Sequence, residues 1–504
     1  MANTTGVLRC KTGIAGLDDV LHGGLITHRL YLVDGDPGSG KTTLALQFLL
    51  EGLRQGERGL YVTLSETRAE LLAGARSHGW SLDGLEIAEL AGDDEELNVD
   101  SQLTLYHPSE VELTETTRRV LDIVERANPD RMVFDSLSEL RLLAQGSLRY
   151  RRQILALKQF FSRRKCTVLL VDDRTSEGPD MQLYSIAHGV IALQQRAPAY
   201  GSIARELQVI KFRGSDFRSG YHDFRILSGG IAVYPRLASA EHGLAFERTT
   251  VASGVAALDE LLGGGIDRGT CTLVSGTPGT GKSTLTLQYA AAAAARGEHA
   301  AIFAFDEMRS LLLHRAAALG IPVSEGTGGG QIAVRQVDPA DITPGEFAHV
   351  VRQCVERDRA TVVVIDSLNG YLNAMPDTGF LSAQLHELLA YLNGQGVATF
   401  IVVAHRGFAM HDSISSQIDS SYLADTLISM RMFEHAGTVR KAISVLKKRS
   451  GPHEQSIRPI WFDSNGVHLG EPLMHLRGIL TGVPVETAGI GSDDTVRADQ
   501  AHGD

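Results

Sequence analysis

Two short stretches, GDPGSGKT from Gly35 and GTPGTGKS from Gly276, each put a lysine behind a glycine-rich run and a hydroxyl directly behind the lysine. Both satisfy G-x-x-x-x-G-K-[ST], and both sit between an apolar run and a helical pattern. Such a loop is built for phosphate. Gly35, Gly38 and Gly40 in one copy, and Gly276, Gly279 and Gly281 in the other, allow backbone amides to wrap an anion at the positive end of the following helix. Lys41 and Lys282 are placed to neutralise the β and γ phosphates. Thr42 and Ser283 are placed to hold magnesium, with Thr43 and Thr284 next in the nucleotide-binding turn. The expected ligand is ATP with Mg2+, twice per chain.

Phosphoryl transfer needs further groups, and the sequence offers them at matching places. VFDS and VIDS end apolar runs at Asp135 and Asp366, which can be plain strand-end residues but, beside a phosphate loop, are read as magnesium carboxylates. A second carboxylate must orient or deprotonate the attacking nucleophile. Glu66 and Glu307 each lie 25 residues beyond their loop lysine; the residue before them is Ser65 in one half and Asp306 in the other. Side chains alternate faces along a strand, so one member of each pair is expected to reach the nucleotide, and the shared glutamate is the choice. VIKFRG and VLKKRS close the two halves. Lys211 with Arg213, and Lys447 with Arg449, either project together toward a phosphate or decorate a solvated edge strand. His405 in VVAHRG is either a γ-phosphate sensor or a satisfied strand-end histidine.

The elements that must position these residues repeat. Sliding the chain by 241 positions lays TGIAGLDDVLHGGL from Thr12 on SGVAALDELLGGGI from Ser253 without a gap, and the loops, TLALQF with TLTLQY, and Gly56 with Gly297 then coincide. A period of this length is a duplicated domain. In each half, apolar runs without in/out alternation (RLYLVDG, GLYVTLSE, RMVFDS, TVLLVDD; CTLVSG, HAAIFAFDE, TVVVIDS, ATFIVVAH) are separated by helical stretches such as RRQILALKQFF and LSAQLHELLAYL. The fold class predicted is α/β: two tandem P-loop domains, each a mostly parallel sheet flanked by helices, with ligands at the carboxyl ends of the strands. The divisions are residues 1–240, 241–485 and a polar, aperiodic tail at 486–504 that is expected to be disordered.

Composition narrows the partners. A chain of 504 residues, 43% hydrophobic and 21% charged, carries ample material for two cores. No apolar run approaches the length of a membrane span and the start has no secretory pattern, so a soluble, cytoplasmic protein without a membrane partner is expected. Cys10, Cys166, Cys271 and Cys354 have no metal or disulfide spacing and read as buried thiols. The net charge of −12, with no basic run interleaved with aromatics, argues against nucleic acid.

These residues resemble the KaiC-type circadian clock ATPases and kinases of the RecA superfamily. The likeness runs from about Thr12 to about Leu473 and rests on the two loops, the VTLSE and AFDE strand ends, the FDS and IDS strands, the KFR and KKR elements, and SSYLADT from Ser420. It implies a double-layered ring of six subunits, with Lys211, Arg213, Lys447 and Arg449 reaching nucleotide on a neighbour. It also implies slow ATP hydrolysis in the first domain and serine autokinase activity in the second, where Ser421 and Tyr422 fall on the phosphoacceptor positions. Tyr422 replaces a threonine, which places the second hydroxyl several ångströms out of line. A regulatory protein partner is implied too, though the tail lacks a match to the clock proteins' partner-binding segment. The alternatives are a nucleotide-gated scaffold without kinase activity and a DNA-acting RecA-type motor.

Overall fold

In the run Leu30–Gly35 every residue is buried, because both faces of the strand are covered. Leu30 and Leu32 enter one apolar cluster with Leu60, Val62, Met132 and Phe134, while Tyr31 and Val33 enter another with Tyr61 and Val133. Alternate residues thus feed two layers, which is why no polar face appears in the sequence. The helix Lys41–Arg54 packs on the Tyr31 side through Leu44, Phe48 and Leu49; the helices Pro108–Ala127, Leu137–Ala144 and Ser147–Ser162 cover the other through Val120, Leu140 and Ile154.

The computed structural model describes residues 8–90, 108–144, 146–174, 181–197, 202–237, 246–321, 323, 330–338, 340–373, 378–404, 422–480 and 484–486. It divides into two units, Met1–Arg236 with Thr343–His349, and Leu237–Ile342 with Val350–Asp504. Each contains a nine-stranded sheet. In the first unit the strands, in chain order, are Leu30–Gly35, Gly59–Thr63, Glu86–Glu89, Arg131–Asp135, Thr167–Asp173, Gly189–Arg196, Ala204–Phe212, Tyr221–Leu227 and Gly230–Tyr234. In the second they are Cys271–Gly276, His299–Ala304, Ile332–Gln336, Ala360–Asp366, Ala398–Ala404, Thr426–His435, Thr438–Lys448, Arg458–Asp463 and Gly466–Leu469. Across either sheet the order is third, second, fourth, fifth, first, sixth, seventh, eighth, ninth. The pairs up to first and sixth are parallel, and the remaining three are antiparallel. The α/β reading of two domains with mostly parallel sheets therefore holds.

The repeat outside the loops has a structural cause. Asp18 accepts from the amide and hydroxyl of Thr12 at 2.8 and 2.9 Å, and Asp259 accepts from the amide of Ser253 at 2.7 Å. Each aspartate pins the segment before a short helix, so TGIAGLDD and SGVAALDE are stapled turns. Helices Lys41–Arg54 and Lys282–Ala295 end just before Gly56 and Gly297, whose φ of 78° and 84° is the left-handed turn that glycine adopts at low cost. All four cysteines are buried and free. Among the described residues no helix is long and apolar enough to cross a membrane.

Candidate nucleotide-binding and catalytic sites

Both phosphate loops leave the end of the first strand of their sheet and turn directly into a helix that opens at the loop lysine. Gly40 and Gly281 cap these helices at φ of 97° and 101°, a conformation that aims the following amides into the loop and that a side chain would strain. Lys41 is buried; its Nζ donates to the carbonyls of Gly35 and Asp36 at 2.9 and 2.8 Å and pairs with Asp173 Oδ1 at 2.6 Å. Lys282, equally buried, donates to Thr277 O at 2.9 Å. Burial holds its ammonium below the ordinary lysine range, against the opposing pull of Asp366. Ser39 Oγ and Thr277 Oγ1, one in each loop, are buried and have no partner among the described residues. Orphaned hydroxyls and inward amines beside a turn of amides are what an oligophosphate would satisfy.

In the first domain Thr42 Oγ1 lies 3.4 Å from Glu66 Oε1 and 3.4 Å from Asp135 Oδ2, while the hydroxyl of Tyr61 donates to the same Asp135 oxygen. Three predicted residues thus converge on one point. Burial, and then the proximity of Asp135, push the Glu66 carboxyl above its usual range. Burial also pushes Asp135 up, opposed by the Tyr61 hydrogen bond and reinforced by Asp173. Hydroxyl and carboxylate oxygens crowded in this way fit a hard divalent cation such as magnesium, which would relieve their mutual repulsion.

The second domain repeats the hydroxyl–aspartate pair, Ser283 with Asp366, whose carboxyl is again pushed up by burial. Its glutamate is held otherwise. Arg315 Nη1 donates to Glu307 Oε1 at 3.0 Å and Nη2 meets Oε2 at 2.9 Å, while Asp306 accepts from the Ser367 hydroxyl. Strands end at Thr63 and Ala304, so Ser65, Glu66, Asp306 and Glu307 all lie beyond them and strand alternation does not choose between neighbours. What fixes Glu66 is Thr63, whose hydroxyl accepts from the Glu66 amide at 3.0 Å and donates to its carbonyl at 2.7 Å.

Lys211 and Lys447 lie on the seventh strand, which is internal to its sheet although its pairing with the eighth covers only Arg205–Gln208 and Ala442–Ile443; Arg213 and Arg449 follow the strand's end. Lys211 and Arg213 do share a direction. Lys211 Nζ donates to the carbonyls of Tyr184 and Ala187, and Arg213 Nη2 to that of Ser185 at 3.2 Å. Lys447 donates to Ala424 O at 2.7 Å and Arg449 faces Asp425 at 3.8 Å. Lys448 turns the other way, buried against Leu262 O, Gly265 O and Asp267. His405 and Ser421 lie outside the described residues; Tyr422 is exposed.

Sequence reasoning misses Asp173 and Tyr61. Asp173 stands opposite Gly35 in the sheet, and Ala404 stands opposite Gly276, so among the described residues the strand-borne carboxylate paired with a loop lysine is found in the first domain and not at the matching register of the second. The second D of TVLLVDD is the available signal, legible only once the fifth strand is known to neighbour the first.

Asp135→Asn separates site chemistry from folding. A carboxyl raised by the fold costs stability in full above the raised value; the cost declines as pH falls from there and is gone below the ordinary carboxylate range. The amide still accepts from Tyr61. Nucleotide-free protein should therefore gain about 2–4 °C in Tm at pH 8, the shift that ~1 kcal/mol gives a domain of this size, and progressively less as the pH is lowered toward the ordinary carboxylate range. An unchanged or lower Tm at pH 8 would contradict the repulsion described here.

The family profile "ATPase: KaiC" matches residues 10–238 and again 251–473. Among curated proteins, the chain is 27% identical over 493 residues to the circadian clock protein KaiC3 of Synechocystis sp., covering 96% of each. It is 25% identical over 488 residues to the circadian clock oscillator protein KaiC of Picosynechococcus sp. (96% of this chain, 93% of that one), and 25% identical over 486 residues to that of Synechococcus elongatus (95% and 92%). With two matches spanning most of its length, two sheets of one topology and a phosphate loop leaving each, the chain belongs to the KaiC ATPase family and carries two of its nucleotide-binding domains.

Proposed function

We propose that the protein is a ring-forming, Mg-ATP-dependent ATPase in which the first domain hydrolyses ATP with Glu66 acting on water, and the second is a candidate autokinase on Ser421. The observation carrying this reading is the meeting of Thr42 with Glu66 and Asp135 beside the Lys41 loop. Thr42 with Asp135, and Ser283 with Asp366, would hold magnesium, which would supply Lewis-acid neutralisation of the charge that develops on the phosphates. Lys41 exchanges its loop carbonyls for the β and γ phosphates. Glu66 takes the proton of the attacking water as its oxygen bonds to the γ phosphorus and the bond to the ADP oxygen breaks. Its raised proton affinity strengthens it as that acceptor.

In the second domain the hydroxyl of Ser421 takes the place of water: its oxygen bonds to the γ phosphorus, ADP leaves, and the proton passes to Glu307 or Asp306. Support comes from the acidic Asp306, which has Ser65 as its counterpart, and from the serine in SSYLADT. Lys211 with Arg213, and Lys447 with Arg449, are assigned to nucleotide on the adjacent subunit of a homo-hexameric double ring. The names of the relatives favour a timing output, and a regulatory protein partner that reads it is part of the same proposal. A net charge of −12 weighs against a DNA motor. The test is incubation with Mg-ATP, following phosphate release and the mass of the peptide carrying Ser421 and Tyr422. Release with a gain of one phosphate on Ser421 is expected. Release with no phosphate on either residue would leave an ATPase whose second domain is a nucleotide-gated scaffold.

A further inference from the structure

Glu66 and Glu307 occupy equal places after their loops, yet one position on the following helix sets them apart. The helix Arg309–Ala318 carries Arg315, whose guanidinium donates through Nη1 to Glu307 Oε1 at 3.0 Å and brings Nη2 within 2.9 Å of Oε2 as an ion-pair contact. The corresponding helix, Arg68–Ser77, has Gly74 there, 241 residues earlier, and a Cβ added to Gly74 would meet nothing within 4 Å. Glu66 faces Thr42 instead. A charge-assisted hydrogen bond reinforced by a second ionic contact from the same guanidinium fork restrains a carboxylate, and an oxygen so held is unavailable to a water until the pair opens.

We propose that Arg315 is a positioning residue that restrains Glu307, so that the second domain keeps ATP from water, and that the difference between Gly74 and Arg315 decides which domain is the faster hydrolase. The inference rests on the reading that Glu66 and Glu307 are the carboxylates acting on water. A second site that loses ATP slowly to water is one in which ATP persists long enough to be used otherwise, by a hydroxyl of the protein or as a clasp. Water needs no binding energy to arrive at the γ phosphate, whereas a protein hydroxyl must be delivered; holding back the base suppresses the first reaction until the second is in place.

The full-length chain tests this in a Glu66→Gln background, where residual phosphate release reports the second domain. Arg315→Ala should raise that release about tenfold, in kcat and not in KM. Arg315→Lys, which keeps the charge but loses the fork, should give a smaller rise. Adding Glu307→Gln should erase the gain. In an otherwise wild-type chain, Gly74→Arg should cut first-domain hydrolysis several-fold while Gly74→Ala leaves it unchanged. A gain that survives Glu307→Gln, or no gain from Arg315→Ala where Glu307→Gln alone lowers release, overturns the restraint and leaves the base assignment standing. If neither Arg315→Ala nor Glu307→Gln changes release, the assignment of Glu307 to water fails, and the restraint with it.

Discussion

Lys41→Ala should empty the first domain of nucleotide and leave the second filled, so that calorimetric titration with a non-hydrolysable ATP analogue counts one site per chain where the wild type counts two. Each charge-assisted hydrogen bond from the amine to a phosphate is worth ~1.5–3 kcal/mol, so losing a pair weakens binding about 10²-fold or more. The loss is compounded in this domain. Asp173 pairs with Lys41 at 2.6 Å, and without the amine its carboxylate faces the phosphates uncompensated. Lys282→Ala meets no such penalty, because Ala404 occupies the corresponding place. The two mutants should therefore differ, with the Lys41 variant the weaker binder at its altered site, and Lys41→Ala with Asp173→Ala should recover part of the difference. Either single mutant retaining two sites of wild-type affinity would mean that its loop does not hold the phosphates.

That asymmetry marks what the sequence could and could not reveal. The loops, the strands that feed them and the pairs Thr42–Asp135 and Ser283–Asp366 are legible because their chemistry demands fixed residue types at fixed spacing from a strand end. The parallel core is legible because strands covered on both faces, such as Val362–Ile365, must be apolar throughout. The eighth strand of the first sheet is not, since the half-covered antiparallel run Tyr221–Leu227 carries Asp223 and Arg225 among its apolar residues and looks like polar linker. Asp173 and Arg315 escape for another reason. Each touches its partner across a gap of many residues or two helical turns, and only knowledge of which strand lies beside the first, or where a helix starts, brings the pair together. Arg315 in particular sits in RSLLLHRAAA as one more basic residue on an exposed helix. The aligned copies differ there by a whole guanidinium, but nothing in the pattern says that it reaches back to Glu307.

Glu66→Gln should reduce steady phosphate release from the first domain by about 10²–10⁴-fold, the usual worth of a positioned proton acceptor, while nucleotide stays bound. Binding survives because the amide oxygen can still accept from Thr42, and Lys41 and Asp135 are untouched. The pH profile decides whether the role is proton transfer or mere positioning. Glu66 must be ionised to take a proton, and burial beside Asp135 raises the pH at which it becomes so. Wild-type kcat should therefore fall as the pH drops through that raised value, earlier than an ordinary surface carboxylate would allow, and the residual activity of the glutamine variant should lack this acid limb. Phosphorylation of Ser421 should continue in Glu66→Gln and fail in Glu307→Gln, because the two carboxylates serve separate nucleotides. A glutamine variant that hydrolyses at close to the wild-type rate and keeps the acid limb would move proton acceptance to another carboxylate. Asp173, 2.6 Å from the loop lysine, would then be the first to replace, since nucleotide binding frees it by drawing Lys41 onto the phosphates.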